Sequence, residues 1–348
     1  MSIQELFGIR LPIIQAPLAG VQNSALTIAV SNAGGLGSLP CAMLNADTLR
    51  AELETIRAQS AGSFNLNFFC HQAPVPDHDQ ADAWQALFAD YCAEFGIVPS
   101  KAPSGPARMP FNREMADLVC EFQPAVVSFH FGLPSPELMN LVRSSGARII
   151  SSATTVDEAL WLEAHGVDAI IAQGFEAGGH RGMFLTDDIS TQIGTLALLP
   201  QIVRAVKVPV IATGGIADAS GVRAALDLGA AGVQVGTAYM LCPEATTSAV
   251  HRAALKSDSA RNTALTNVFS GRPARGIVNR LMRERGPMNP AAPKFPLAAP
   301  ASALLRAKAE SMGSGDFSPL WAGQNVSGCK EIPAGILTQA LASQVDKP

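Results

Sequence analysis

Residues 12–21 read PIIQAPLAGV, a short apolar strand that runs into a proline and a single glycine. A doubly wound sheet built to bind a dinucleotide would carry G-x-G-x-x-G here, where the first strand turns into the first helix. That fingerprint is missing, and the nearest glycine-rich piece, AGGLGS at residues 33–38, lies before or within the next strand. Seven further apolar segments follow, at residues 35–39, 64–69, 125–130, 148–153, 168–173, 209–213 and 232–236. Helical patterns separate several of them, the signature of βαβ units and a parallel sheet. Eight strands without the dinucleotide loop predict an α/β fold closed into a (β/α)8 TIM barrel.

The intervening helices carry their own punctuation. Ser135-Pro136 ahead of ELMNLVRSS and Gly146 sets an N-cap, a first-turn proline and a terminal glycine in order. Thr155 and Glu158 have capping-box spacing, and Asp218 can cap the helix that starts SGVRAALD. Two segments break the alternation. Residues 71–123 hold two Pro-rich pieces around a helical run with Trp84, which reads as an excursion over one end of the barrel. Residues 242–310 are mainly helical in pattern, with a Pro-rich centre, and read as a small lid or substrate domain. The expected layout is therefore a barrel over residues 1–241, the lid over 242–310, and a segment at 311–348 that returns to the barrel.

Composition narrows the function classes. The 348 residues are 48% hydrophobic and only 16% charged, with a net charge of -4 and no basic block, so a nucleic-acid footprint is missing. No basic leader with an apolar core opens the chain, and no apolar run reaches the roughly 18 residues of a membrane helix. A soluble cytoplasmic protein is expected, and so sparse a charge is compatible with a homodimer. The six cysteines are scattered without C-x-x-C or metal-ligand spacing, which predicts reduced thiols and no metal site.

Barrel enzymes carry their chemistry on the loops after the strands. Thr213-Gly214-Gly215-Ile216 and Gly236-Thr237-Ala238 follow the seventh and eighth strands, where bare backbone and a helix start can hold a phosphate. With no second dinucleotide-type loop, FMN is the cofactor such a mouth best suits. Asn67 and Gln173, at the ends of the third and sixth strands, have two readings: contacts to a flavin edge, or amides tying down the following loops. After the sixth strand, QGFEAGGHRG sets Gly178 and Gly179, able to lie against a flavin, beside His180. His180 can take a proton from a weak carbon acid or hold an anion. Arg181 could bind an anion or pair with Glu176 or Asp187, and Glu176 could orient a neighbour. His130 ends the fourth strand and faces the same opening. His71 and His78 read as surface or lid residues, His165 as a helix end, and His251 as helix surface.

The motifs QAPLAG, SNAGGLGS, FNLNFFCH, VSFHFGLP, AQGFEAGGHRG, ATGGI and VQVGTAYMLCPE, with SGRPARGIVNR and LWAGQ beyond them, resemble the class I nitronate monooxygenases over nearly the whole chain. The resemblance implies an FMN-containing TIM barrel with a helical lid that oxidises alkyl nitronates, such as propionate 3-nitronate, with O2 and without NAD(P)H, giving a carbonyl compound and nitrite. It implies that His180 is the catalytic base or anion-binding group. It implies FMN contacts from Ala16, Pro17, Leu18, Asn67, Gln173, Gly178 and Gly179, and phosphate contacts from Gly214, Gly215, Gln234, Val235, Gly236 and Thr237. His130 would line the substrate pocket, and Trp321 and Gln324 would close over the flavin. The chain departs from the family in residues 287–300, where the lid tyrosines and lysine have no clear counterpart. FMN-dependent NAD(P)H:quinone and enoyl-thioester reductases share this barrel and form the alternative.

Overall fold

The computed structural model describes residues 2–98 and 108–345. All eight predicted strands are present: Ile13–Gln15, Gly37–Pro40, Phe64–Phe69, Val126–His130, Arg148–Ala153, Ala169–Gln173, Val210–Thr213 and Gly232–Val235. Each is parallel to its neighbour, the first pairs with the eighth through Ile13 and Val233, and a parallel bridge between Ile14 and Leu36 closes the ring. The fold is a TIM barrel.

Alternation along the strands sorts the side chains into two cores. Ile13, Val127, Ile149, Ile170, Val210 and Val233 face outward into the helix layer. Ile14, Leu36, Val126, Ile150, Ile171 and Ile211 face inward, and Ile3 and Phe7 of the N-terminal helix Ile3–Phe7 close the bottom of that inner cluster. One step up, the inward positions become polar: the Asn65 amide donates to Ser38 Oγ and Ser128 Oγ at 3.0 and 2.9 Å. At the top they are Asn67, His130, Ser152, Gln173, Thr213 and Gln234, and these open onto a cavity. The barrel interior thus passes from hydrocarbon to hydrogen-bonding groups toward the C-terminal strand ends, where the loops stand.

The segment beyond the eighth strand holds more than helices. Thr263–Thr266 and Ala274–Ile277 form an antiparallel pair, and Gly179–His180 from the barrel adds a third strand, with Ala274 opposite His180 and Arg275 opposite Gly179. The excursion packs into the same region. Trp84, Phe88 and Tyr91, from the helices His78–Ala86 and Ala89–Glu94 and the turn between them, are buried with Phe269, Leu281, Leu305 and Phe317. Arg280 and Arg285 clip this assembly to Glu94 and Asp90 at 2.7 and 2.5 Å. Part of the second Pro-rich piece, residues 99–107, lies outside the described residues. Among the described residues, no helix is long and apolar enough to cross a membrane.

Trp84 is the largest fully buried side chain, and its indole N–H donates to the Ala298 carbonyl at 3.1 Å. Trp84→Ala should cost about 3–5 kcal/mol through the cavity it leaves. A guanidinium denaturation midpoint equal to that of the wild type would show that the excursion is not part of this folded unit.

Candidate active site

The cavity at the barrel mouth encloses about 1300 Å³ counted to its opening to solvent. Strand-end residues Asn67, His130, Gln173 and Gln234 line it, as do Ala16, Pro17 and Leu18 after the first strand. Gly178, Gly179 and His180 come from the sixth loop, Gly214 and Gly215 from the seventh, Gly236 and Thr237 from the eighth, and Trp321 from the returning segment. Two residues named from the sequence do not line it. Val235 points into the helix layer, because Gln234 takes the inward position and strand alternation turns its neighbour outward. Gln324 is exposed and meets the sixth loop through its backbone, whose N–H donates to the Glu176 carbonyl at 3.0 Å, while Gly323 and Asn325 on either side reach the cavity.

The loop that carries His180 is held at both its backbone and its ring. The His180 carbonyl accepts from Gln173 Nε2 at 3.0 Å and from His130 Nε2 at 3.2 Å. His130 therefore carries its proton on Nε2, and its Nδ1 accepts from Ser152 Oγ at 2.9 Å. Gln173 Oε1 accepts the Gly182 N–H at 2.7 Å, so both ends of that amide are tied to the loop. Asn67 donates to Ser128 Oγ at 2.9 Å, and among the described residues its Oδ1 makes no hydrogen bond. The His180 ring itself meets Ser270 Oγ at 2.9 Å through Nε2 and lies 5.5 Å from the Trp321 ring.

Several neighbours escaped the sequence reading. Ser270 stands in the SGRPARG motif, yet nothing in its spacing points to His180, 90 residues away. His251 is buried and lines the cavity, with Nε2 against the Trp321 carbonyl at 3.0 Å, where the sequence suggested helix surface. Arg181 does not line the cavity, and among the described residues it makes no ion pair with Glu176 or Asp187. It is fully buried and donates to Gln192 Oε1 and to the carbonyls of Gly174 and Gln173, which staples the start of its own loop. Glu176 accepts from the Thr195 N–H and hydroxyl, both at 2.8 Å, and so anchors the loop base rather than facing the cavity.

The electrostatics are one-sided. Burial pulls the His130 imidazole down to about 3, and those of His71 and His251 down to about 4. His180 is held well below the ordinary histidine value by burial first, then by Arg108, His130, Arg272 and His71. It keeps some accessible surface because it lines the cavity, but it lies too deep for bulk hydration. Burial also lowers Arg108 and Arg272, and brings Arg181 down to about 10.

Across the cavity the wall is bare backbone. Gly214 and Gly215 have φ of 115° and 74°, conformations that favour glycine, and a Cβ at Gly214 would meet the Gly174 carbonyl at 3.1 Å. A Cβ on Gly178 would come within 2.5 Å of the Gly323 nitrogen. Between these glycines and the strand ends, Gln234 Oε1 is buried without a partner among the described residues. A glycine-walled cradle with an orphaned amide oxygen in it fits a planar, phosphate-bearing cofactor with one ring N–H donor.

A parallel barrel whose cavity gathers a clamped histidine, a glycine cradle and buried cations defines a (β/α)8 enzyme. The nitronate monooxygenase family profile matches residues 1–343. The chain is 41% identical to nitronate monooxygenase of Pseudomonas aeruginosa over 98% of its length and 97% of that protein's. It is 40% identical to that of Paraburkholderia phytofirmans, covering 99% and 94%. Among solved structures, nitroalkane oxidase from Streptomyces ansochromogenes superposes with a TM-score of 0.89 at 36% identity, covering 99% and 98% of the two chains. FabK from Thermotoga maritima gives 0.72 at 25% identity, covering 100% and 98%. The chain belongs to the nitronate monooxygenase family and is an oxidoreductase.

The neutral histidines make stability depend on pH. Unfolded, their imidazoles titrate near the ordinary value of 6.5; folded, His71, His130 and His251 are held at about 3 to 4. Between those values the unfolded chain binds more protons, so stability is full above about pH 6.5 and falls as pH drops through this window. Tm should decline from pH 7 to pH 5, and His251→Gln should flatten the decline. A wild-type Tm that stays level over that range would contradict the neutral assignment.

Proposed function

We propose that this enzyme oxidises alkyl nitronates, of the kind represented by propionate 3-nitronate, with O2 and bound FMN and without NAD(P)H, giving a carbonyl compound and nitrite. The observation that supports this most is the pinned, neutral His180 beside buried cations, facing a glycine-walled cradle: an anionic substrate can lie between the histidine and a flat cofactor. In this reading Gly214, Gly215, Gly236 and Thr237 hold the FMN phosphate, with the start of the helix Ala219–Asp227 behind them. Ala16, Pro17, Leu18, Gly178 and Gly179 would lie against the flavin, Gln234 Oε1 would accept its one ring N–H, and Asn67 would face the same ring. Bound there, FMN supplies the electron acceptor and the reactivity toward oxygen.

The chain's own residues bind and orient the substrate. Ser270 occupies His180 Nε2, which leaves Nδ1 as the ring nitrogen for the substrate. As a neutral imidazole, Nδ1 can hydrogen-bond the substrate or take a proton from the carbon of a neutral nitroalkane. His130 and Gln173 hold the His180 backbone still while this happens, and Trp321 limits water above the ring. The same reading places the enzyme in the cytoplasm, and its apolar, charge-poor composition favours self-association.

The test is oxygen uptake by the FMN-loaded protein given propionate 3-nitronate with no NAD(P)H. Rapid uptake is the expected result, and His180→Asn should lower kcat/KM by 10²-fold or more, the scale of a lost acid–base group, while keeping its flavin. Absence of uptake, together with bleaching of the flavin by NADH, would replace this reading with that of an NAD(P)H-dependent quinone or enoyl-thioester reductase.

A further inference from the structure

One cation in the cavity wall has no counter-charge among the described residues. Arg108 lines the cavity, and among the described residues its guanidinium makes no hydrogen bond and no ion pair. Its guanidinium carbon stands 5.8 Å from the centre of the Phe295 ring. Residues 99–107, which precede it, contain no aspartate or glutamate. The groups that act on it and around it are basic: Arg306 on Arg108, and Arg108, Arg272, Arg181 and the histidines on His71, His130 and His180. Arg272 differs, because one of its nitrogens donates to the Met183 carbonyl and it sees the charges of Asp187 and Glu158.

Holding a guanidinium partly out of water without a counter-charge carries a cost, and part of it is recovered when an anion arrives. Position says where that anion would sit. Phe295 stands 5.2 Å from the His180 ring and also meets the Arg108 guanidinium, so Arg108 and His180 share one aromatic neighbour and both line the cavity. His71 packs into the same cluster, its ring 4.8 Å from that of Phe295. His180 is neutral and cannot itself balance a negative charge. A guanidinium offers two parallel N–H donors, which match an anion with two oxygens in one plane.

Resting on the function proposed above, we propose that Arg108 is the residue that recognises the anionic group of the substrate, taking a planar two-oxygen anion, nitronate or carboxylate, beside His180. It is a specificity-determining residue supplied by the excursion rather than by the barrel or the lid.

The experiment compares wild type, Arg108→Lys and Arg108→Met by oxygen uptake with ethyl nitronate, which has one such anion, and propionate 3-nitronate, which has two. Malonate binding, measured by calorimetry, is a second readout that needs no turnover. Arg108→Met should raise KM by about 10- to 100-fold, the scale of a charge-assisted hydrogen bond, with kcat changed far less, and Arg108→Lys should recover part of it. A loss confined to propionate 3-nitronate identifies the carboxylate as the anion held; an equal loss on both substrates identifies the nitronate. KM values within about twofold of wild type on both substrates, with malonate binding unchanged, would overturn the proposal. If the wild type consumes oxygen with neither substrate, the function proposed above fails, and malonate binding to wild type and Arg108→Met still decides the role of Arg108.

Discussion

The pairing of Gly179–His180 with the strand Ala274–Ile277 is the constraint on which the rest of the site depends. It takes a glycine-rich loop, which left free would sample many conformations, and makes it the edge of a sheet whose other strands belong to the lid. The carbonyl of His180 points back into the barrel and is held there by His130 and Gln173, both at strand ends. One dipeptide thereby joins three parts of the molecule, and the imidazole is positioned by all of them. Fixing a backbone in this way costs entropy during folding and removes that cost from substrate binding.

How far the sequence could be read follows from how local each signal is. The barrel strands are buried on both faces, so they appear as continuous apolar runs with turn residues at their ends, and Phe64–Phe69 and Arg148–Ala153 have the predicted bounds. The glycine-rich loops were legible for a similar reason, since a left-handed backbone at Gly214 and Gly215 writes itself directly into residue type. The lid strands were not legible: Thr263–Thr266 and Ala274–Ile277 are four residues each, too short for a period to show. Nor were Ser270, His251 and Arg108, because each acquires its role only from a partner distant in the chain. Val235 and Gln324 lie beside the cavity and not in its lining for a geometric reason, in that adjacency to a lining residue along a strand or a turn does not carry a side chain to the same face.

Charge is distributed unevenly. The acidic side chains of the sixth-loop region, Glu158 and Glu176, are spent on backbone N–H groups and hydroxyls at the loop base. The half-buried Arg280 and Arg285, beyond the eighth strand, pair with Glu94 and Asp90 of the excursion. What remains around the cavity is a set of neutral imidazoles, the half-buried Arg108 in its wall and the half-buried Arg272 against Phe131, with aromatic rings filling the space between them. Such a compartment rejects cations and draws anions without needing any one residue to be protonated on demand.

The shared core of excursion and lid has a consequence for how the molecule is made. Trp84 is separated from its partner Ala298 by 214 residues, and most of the barrel lies between them in the chain. During synthesis the excursion helices emerge long before the segment that covers them, and Trp84, Phe88 and Tyr91 remain as an unburied apolar face while the later strands are still being added. The period of greatest exposure to aggregation therefore belongs to the nascent chain, and it ends only when the last hundred residues have been released and folded back.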